Sequence, residues 1–118
     1  MISKEDLKQA IKLNAKIINE IRLDWDDRLF SSLKSTWGDS DARQLYWNIL
    51  VLMSIKTGGG IKYTFKHSFD TINLIIGSKQ VYITQGDFNT SADEIRDGLL
   101  RKGVFPEIID RLKIEIIK

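Results

Sequence analysis

Residues 61–85, IKYTFKHSFDTINLIIGSKQVYITQ, decide the fold because apolar and polar side chains alternate along three separate runs. Alternation with a period of two residues is typical of β-strands that bury one face. It predicts strands over residues 61–67, 71–76 and 80–85. This stretch therefore predicts a three-stranded sheet with one apolar face and one polar face.

The connections between the runs predict how the strands pair. Gly77-Ser78 is a two-residue hairpin signal, and it brings the apolar residues of the second and third strands onto one face. A four-residue loop over residues 68–71 is expected to place Phe65 opposite Leu74. The predicted inner face holds Tyr63, Phe65, Ile72, Leu74, Ile76, Val81 and Ile83. The predicted outer face holds Lys62, Thr64, Lys66, Asn73, Ile75, Gln80, Tyr82 and Thr84.

Helices are predicted before and after the strands in the sequence. The evidence is apolar residues at three- and four-residue spacing and capping residues such as Ser3 and Ser91. Their predicted ranges are 3–22, 23–38, 41–55, 92–101 and 106–112. Residues 113–118 fit a short edge strand or a continued helix, and the alternation at their centre favours the strand. We expect one α+β domain over residues 1–118. Its N-terminal helices precede a three- to four-stranded antiparallel meander and C-terminal helices, with the helices packed on one sheet face.

Composition excludes several chemistries. The 118 residues contain no cysteine and one histidine, which excludes disulfides, thiolate metal sites and multi-histidine metal sites. Gly58-Gly59-Gly60 lies after a helix and before a strand, the reverse of a phosphate loop. It is expected to be a flexible connection or a close backbone approach that only glycine permits. We expect no cofactor and no metal.

Localisation is predicted from the absence of a long apolar segment. The longest nearly apolar run, residues 45–53, is shorter than the roughly 20 residues that span a bilayer. The N-terminus carries charges every few residues, unlike a secretory signal. We therefore expect a cytoplasmic protein that does not enter a membrane.

Two surfaces are candidates for partner binding. The first is the outer sheet face, whose cations, amides and aromatic ring suit a protein partner or a single-stranded nucleic acid. Its candidate residues are Lys62, Lys66, Asn73, Gln80 and Tyr82. The second is an acidic segment around Trp25, where Asp26 and Asp27 could form an acidic rim around an aromatic anchor.

A catalytic interpretation would use His67 with Lys62 and Lys66. A metal-independent ribonuclease needs a base, an acid and a cation for the phosphate, and these side chains could fill some of those roles. Strand alternation, however, places His67 on the face opposite both lysines. A second acid–base group is also not evident, although Tyr63 and Tyr82 are candidates.

These patterns lead to two functional hypotheses. The favoured one is a non-enzymatic protein-binding module, of the kind found among small bacterial or phage inhibitors and immunity proteins. The alternative is a metal-independent ribonuclease or an RNA-binding domain that uses a basic sheet face.

Overall fold

The computed structural model describes residues 1–21, 26–66 and 69–117, together with their side chains except those of Lys66 and Phe69. The helices are α1 Lys4–Leu13, α2 Ala15–Glu20, α3 Asp27–Trp37, α4 Asp39–Lys56, α5 Ala92–Arg101 and α6 Pro106–Ile109. The strands are β1 Gly60–Lys66, β2 Phe69–Ile76, β3 Lys79–Thr84 and β4 Ile114–Ile117. The predicted α+β class is confirmed.

The sheet has the strand order β3-β2-β1-β4 and is mixed. β2 pairs antiparallel with β1 and β3, but β4 pairs parallel with β1, with Ile61 opposite Ile114. The prediction of a purely antiparallel sheet is therefore wrong at its last strand. The chain leaves β3 at one edge and passes through α5 and α6. It then enters the opposite edge in the direction of β1, the kind of crossover that parallel pairs require.

The β2–β3 hairpin has the predicted register. Ile76 pairs with Lys79 and Leu74 with Val81 around the two-residue turn. The ladder becomes irregular towards its far end, where Thr84 pairs with Ile72. Such a bulge increases the local twist and bends the strand.

The β1–β2 register differs from the prediction. Phe65 pairs with Asp70 rather than Leu74, and Leu74 pairs with Ile61, because β2 begins at Phe69. The shift is four residues, an even number, so each side chain keeps its predicted face. Tyr63 and Leu74 accordingly lie on the inner face, and both are fully buried.

The first predicted helix is broken at Asn14. Its backbone departs from helical angles, and its buried side chain donates from Nδ2 to the Ala10 carbonyl at 2.8 Å. Its Oδ1 accepts from the Ser32 hydroxyl at 2.6 Å. Asparagine forms such local side-chain bonds readily in place of helix continuation, so α1 ends before Asn14 and α2 begins after it. The predicted cap at Ser3 is confirmed, since its hydroxyl accepts from the Asp6 N–H.

The central helix is α4, which packs on α1, α3, α6 and the first two strands. It begins at Asp39, two residues before the predicted start, and Gly38 precedes it with a φ of +84°. Apolar residues on most of its circumference are buried, as predicted for a central helix. α6 is shorter than predicted, because it ends at Ile109 rather than at residue 112.

The glycine turn between α4 and β1 is a close backbone approach. A Cβ on Gly59 would overlap the carbonyl oxygen of Ile75, and Gly60 has a φ of +71°. The Gly59 N–H donates to the Ser54 carbonyl at 2.9 Å. The turn therefore seats the end of α4 directly against β2. No helix within residues 1–21, 26–66 and 69–117 has the length and apolar character needed to cross a membrane.

Candidate functional site

The candidate site is the sheet face turned away from the helices, which we call the outer sheet face. Its centre is a row of four side chains that crosses every strand. Tyr82 pairs with Asn73, Asn73 with Lys62, and Lys62 with Glu115. Because side chains on paired positions project to the same side, these four groups form one continuous line, which we call the central row.

Apolar and hydroxyl side chains flank the central row. Ile75 lies on one side of it, next to Gln80, and Ile117 lies on the other, next to Thr64. The Tyr82 side chain is 50% exposed and Ile117 is 36% exposed. The outer sheet face therefore mixes apolar, amide, hydroxyl and charged groups.

Burial separates the two faces of the same strands. On the inner face, Ile61 and Val81 are at most 4% exposed. On the outer face, Lys62 and Asn73 are only half-buried although they belong to the two central strands. The Asn73 amide donates to the Thr71 hydroxyl at 3.0 Å. This contact orients the amide along β2.

The structure places four of the predicted binding residues together on the outer sheet face: Lys62, Asn73, Gln80 and Tyr82. Trp25, His67 and the side chain of Lys66 lie outside the described residues. The structure therefore describes the side chains of four predicted binding residues on this face.

Asp26 and Asp27 lie at the start of α3, which packs on α4 rather than on the sheet. The Asp26 carboxylate accepts from the N–H groups of Arg28 and Leu29 at 2.9 and 3.3 Å. It also accepts from the Arg28 guanidinium at 3.0 Å, and this bond lowers the pKa of Asp26. Helix capping thus accounts for Asp26, and these two residues are not brought to the outer sheet face.

Tyr63, a candidate acid–base group, is fully buried on the inner face. Its hydroxyl contacts the Asp87 carbonyl and lies 3.2 Å from an Asp70 carboxylate oxygen. Burial raises the pKa of Tyr63, which moves the hydroxyl further from proton transfer at neutral pH. Tyr63 lies on the face opposite Lys62, whereas Tyr82, the other candidate acid–base group, shares the outer sheet face with Lys62.

The acidic side chains of the described residues do not converge on a common point. In the part of the chain that the structure describes, no three His, Asp or Glu side chains are close enough to hold a metal ion. Several carboxylates there make other contacts, such as the Asp87 carboxylate that accepts from the Asn89 N–H at 2.8 Å.

Glu115 and Ile117 are residues of the outer sheet face that the sequence does not reveal. The alternation of residues 114–117 indicates a strand, but it carries no information on which strand is its neighbour. The parallel pairing of β4 with β1 is what brings Glu115 beside Lys62. The chain matches no protein-family model, no curated protein and no solved structure.

Proposed function

We propose that this protein is a non-enzymatic protein-binding module that contacts a protein partner through its outer sheet face. The observation that carries the proposal is the central row, a line of aromatic, amide, cationic and anionic side chains across all four strands. Protein interfaces are enriched in aromatic side chains and combine apolar contact area with polar and charged groups. An inhibitor- or immunity-type role suits a small domain with such a face.

Charge favours a protein partner over RNA. Among the described side chains of the outer sheet face, the cation of Lys62 stands next to the carboxylate of Glu115. Single strands of nucleic acid are bound by a cationic groove together with stacking rings. Here the carboxylate would repel phosphate, and Tyr82 is the aromatic ring available for stacking in the described part of the face.

The apolar groups provide the contact area that a protein partner would desolvate. Ile75, Ile117 and Tyr82 are distributed over β2, β4 and β3, so the apolar surface spans the width of the sheet. Truncating an aromatic anchor of an interface typically costs about 2 kcal/mol of binding energy, or roughly 30-fold in affinity. We therefore expect Tyr82 to be the largest single contributor.

The test is affinity capture from a lysate of the organism that carries the gene, using the wild type and three variants. Tyr82→Thr and Lys62→Thr alter the central row and keep a residue type that favours strands. Leu100→Ala is the matched control, since it removes a 42% exposed apolar side chain from α5. We expect the wild type and the control to capture the same stoichiometric protein and both central-row variants to lose it.

Two outcomes would count against this function. Capture of the same protein by the central-row variants would show that another surface binds it. Salt-sensitive binding of single-stranded RNA that is lost in Lys62→Thr, with no protein captured, would instead favour the RNA-binding alternative.

A further inference from the structure

A second candidate site lies on the helical side of the sheet, away from the outer sheet face. It is a cleft between α1 and α2 on one side, α4 on the other, and the β2–β3 turn at its end, which we call the α2–α4 cleft. Its volume is about 640 Å³. Pockets that bind small molecules usually measure about 300–1,000 Å³, so the cleft is large enough for one.

The walls of the α2–α4 cleft are mainly aliphatic. Its most buried described side chains are four isoleucines, each at most 9% exposed: Ile18, Ile21, Ile49 and Ile76. Leu52 and Met53 of α4 are half-buried and complete the apolar surface. Methionine adapts its shape to irregular apolar ligands, so this wall can close around one.

The rim carries positive charge. Lys56 and Lys79 both line the cleft, and none of its described lining residues is acidic. The Lys79 ammonium donates to the Ile21 carbonyl at 2.5 Å, which fixes it at the end of α2. Lys56 is exposed in the last turn of α4. The cleft is therefore an apolar space with two cations in its lining, of which Lys56 is exposed to solvent.

We propose that the α2–α4 cleft binds a small amphiphilic monoanion, with an alkyl chain along the isoleucine walls and a carboxylate facing Lys56. A neutral apolar molecule would use the walls but not the cations. A phosphate ester carries up to two negative charges and is held best by several N–H groups or an arginine fork, whereas the described lining has no arginine and the Lys79 ammonium is engaged with the Ile21 carbonyl. A single carboxylate on an aliphatic body matches both parts of the cleft.

The test first measures the affinity of the wild-type protein for linear carboxylates from hexanoate to dodecanoate by isothermal titration calorimetry. Each added methylene should tighten binding about three- to four-fold until the cleft is full. Octanoate should bind about two- to five-fold more tightly than 1-octanol, the size of an exposed charge pair, and added salt should reduce that difference. No binding, no dependence on chain length, or equal affinity for the acid and the alcohol would overturn the proposal.

Three variants locate the site. Ala15→Trp places a large ring at an exposed position in the cleft wall and should weaken octanoate binding at least ten-fold. Lys56→Met keeps an unbranched apolar chain and should remove most of the preference for octanoate over 1-octanol, since Lys79 remains as the other cation of the described lining. Lys12→Met is the control, since Lys12 does not line the cleft. Unchanged octanoate binding in Ala15→Trp would overturn the assignment to this cleft.

The experiments on the α2–α4 cleft and those on the outer sheet face can succeed or fail independently. Tyr82→Thr should bind octanoate as the wild type does, because Tyr82 lies on the other side of the sheet. Loss of octanoate binding in Tyr82→Thr would contradict the placement of the ligand in the α2–α4 cleft, whatever protein the outer sheet face captures.

Discussion

The two faces of the sheet are built from the same strands but are specified in different ways. The inner face is covered by helices that make several directed contacts with the chain around it, whereas the outer sheet face is defined by its composition alone. Alternation along the strands produces both faces at once. α4, which packs on β1 and β2, makes several of these directed contacts.

Two buried polar side chains of α4 make those contacts. Asn48 donates to the Gly103 carbonyl and accepts from the Phe105 N–H, each at 2.9 Å, and so holds the turn between α5 and α6. The Ser54 hydroxyl lies 3.0 Å from the Gly60 carbonyl and 2.6 Å from the Ile75 carbonyl. No such fixed partner covers the described residues of the outer sheet face.

The largest expected effect on stability is at Gly59. A Cβ there meets the Ile75 backbone, which cannot move without shifting β2, so Gly59→Ala should lower the free energy of unfolding by about 3 kcal/mol. The control is Gly58→Ala. A Cβ on Gly58 would meet open space, and only the left-handed backbone is unfavourable for alanine, so this substitution should lower the free energy of unfolding by about 1 kcal/mol. Urea denaturation measures both. Equal losses would mean that the close approach to β2 is not the cause.

The second largest effect on stability is expected at Asn48 of α4, compared with Asn73 of the outer sheet face. Asn48→Ala leaves the Phe105 N–H and the Gly103 carbonyl without their partner, and should cost about 2–3 kcal/mol. Asn73→Ala removes one half-exposed amide from the outer sheet face and should cost no more than about 0.5 kcal/mol. Thermal unfolding of both variants tests the contrast. Similar melting temperatures would show that α4 does not anchor the α5–α6 turn in this way.

A smaller effect is expected at Tyr63, and it depends on pH. Tyr63→Phe removes the hydroxyl contacts at the end of β1 and should cost about 1 kcal/mol at neutral pH. Because burial raises the pKa of Tyr63 in the folded state, the phenol favours folding below pH about 10, and this contribution decreases as the pH rises further. Tyr63→Phe should therefore lose less stability than the wild type as the pH rises from about 9 to about 11. Parallel profiles in urea denaturation would contradict this explanation.

The smallest effect is expected on the outer sheet face. Tyr82→Thr and Lys62→Thr should each change the free energy of unfolding by less than about 0.5 kcal/mol, because neither side chain is fully buried. Urea denaturation of the same preparations used for affinity capture provides the measurement. A loss above about 1 kcal/mol would mean that this face contributes to folding and would weaken its use as a binding surface.

Strand positions and faces can be predicted from alternation, but the β1–β2 register cannot. Aspartate is depleted in strands, so the sequence favours a loop at Phe69 and Asp70. In the structure, Asp70 lies in β2, and its carboxylate meets the Tyr63 hydroxyl. Local patterns do not reveal such a contact, and the same is true of the contact between Asn14 and Ser32 that accompanies the break between α1 and α2.

The residues of the candidate site are also predictable only in part. Strand parity predicts which residues share the outer sheet face, because an error of an even number of residues in register leaves every side chain on its face. It predicts Lys62, Asn73, Gln80 and Tyr82. Glu115 does not, because its place in the central row depends on β4 pairing with a strand that lies far from it in the chain. A four-residue strand has too few side chains to indicate its partner.

The parallel pairing of β4 also affects how the sheet can be completed during synthesis. β1, β2 and β3 leave the ribosome well before Ile114–Ile117, so the edge of β1 that β4 covers stays open until residues 114–117 have been synthesised. Open strand edges pair readily with other chains, and contacts between distant residues form slowly. A chain truncated before residue 114 would keep that edge exposed, and we expect it to aggregate through β1 even where its helices have formed.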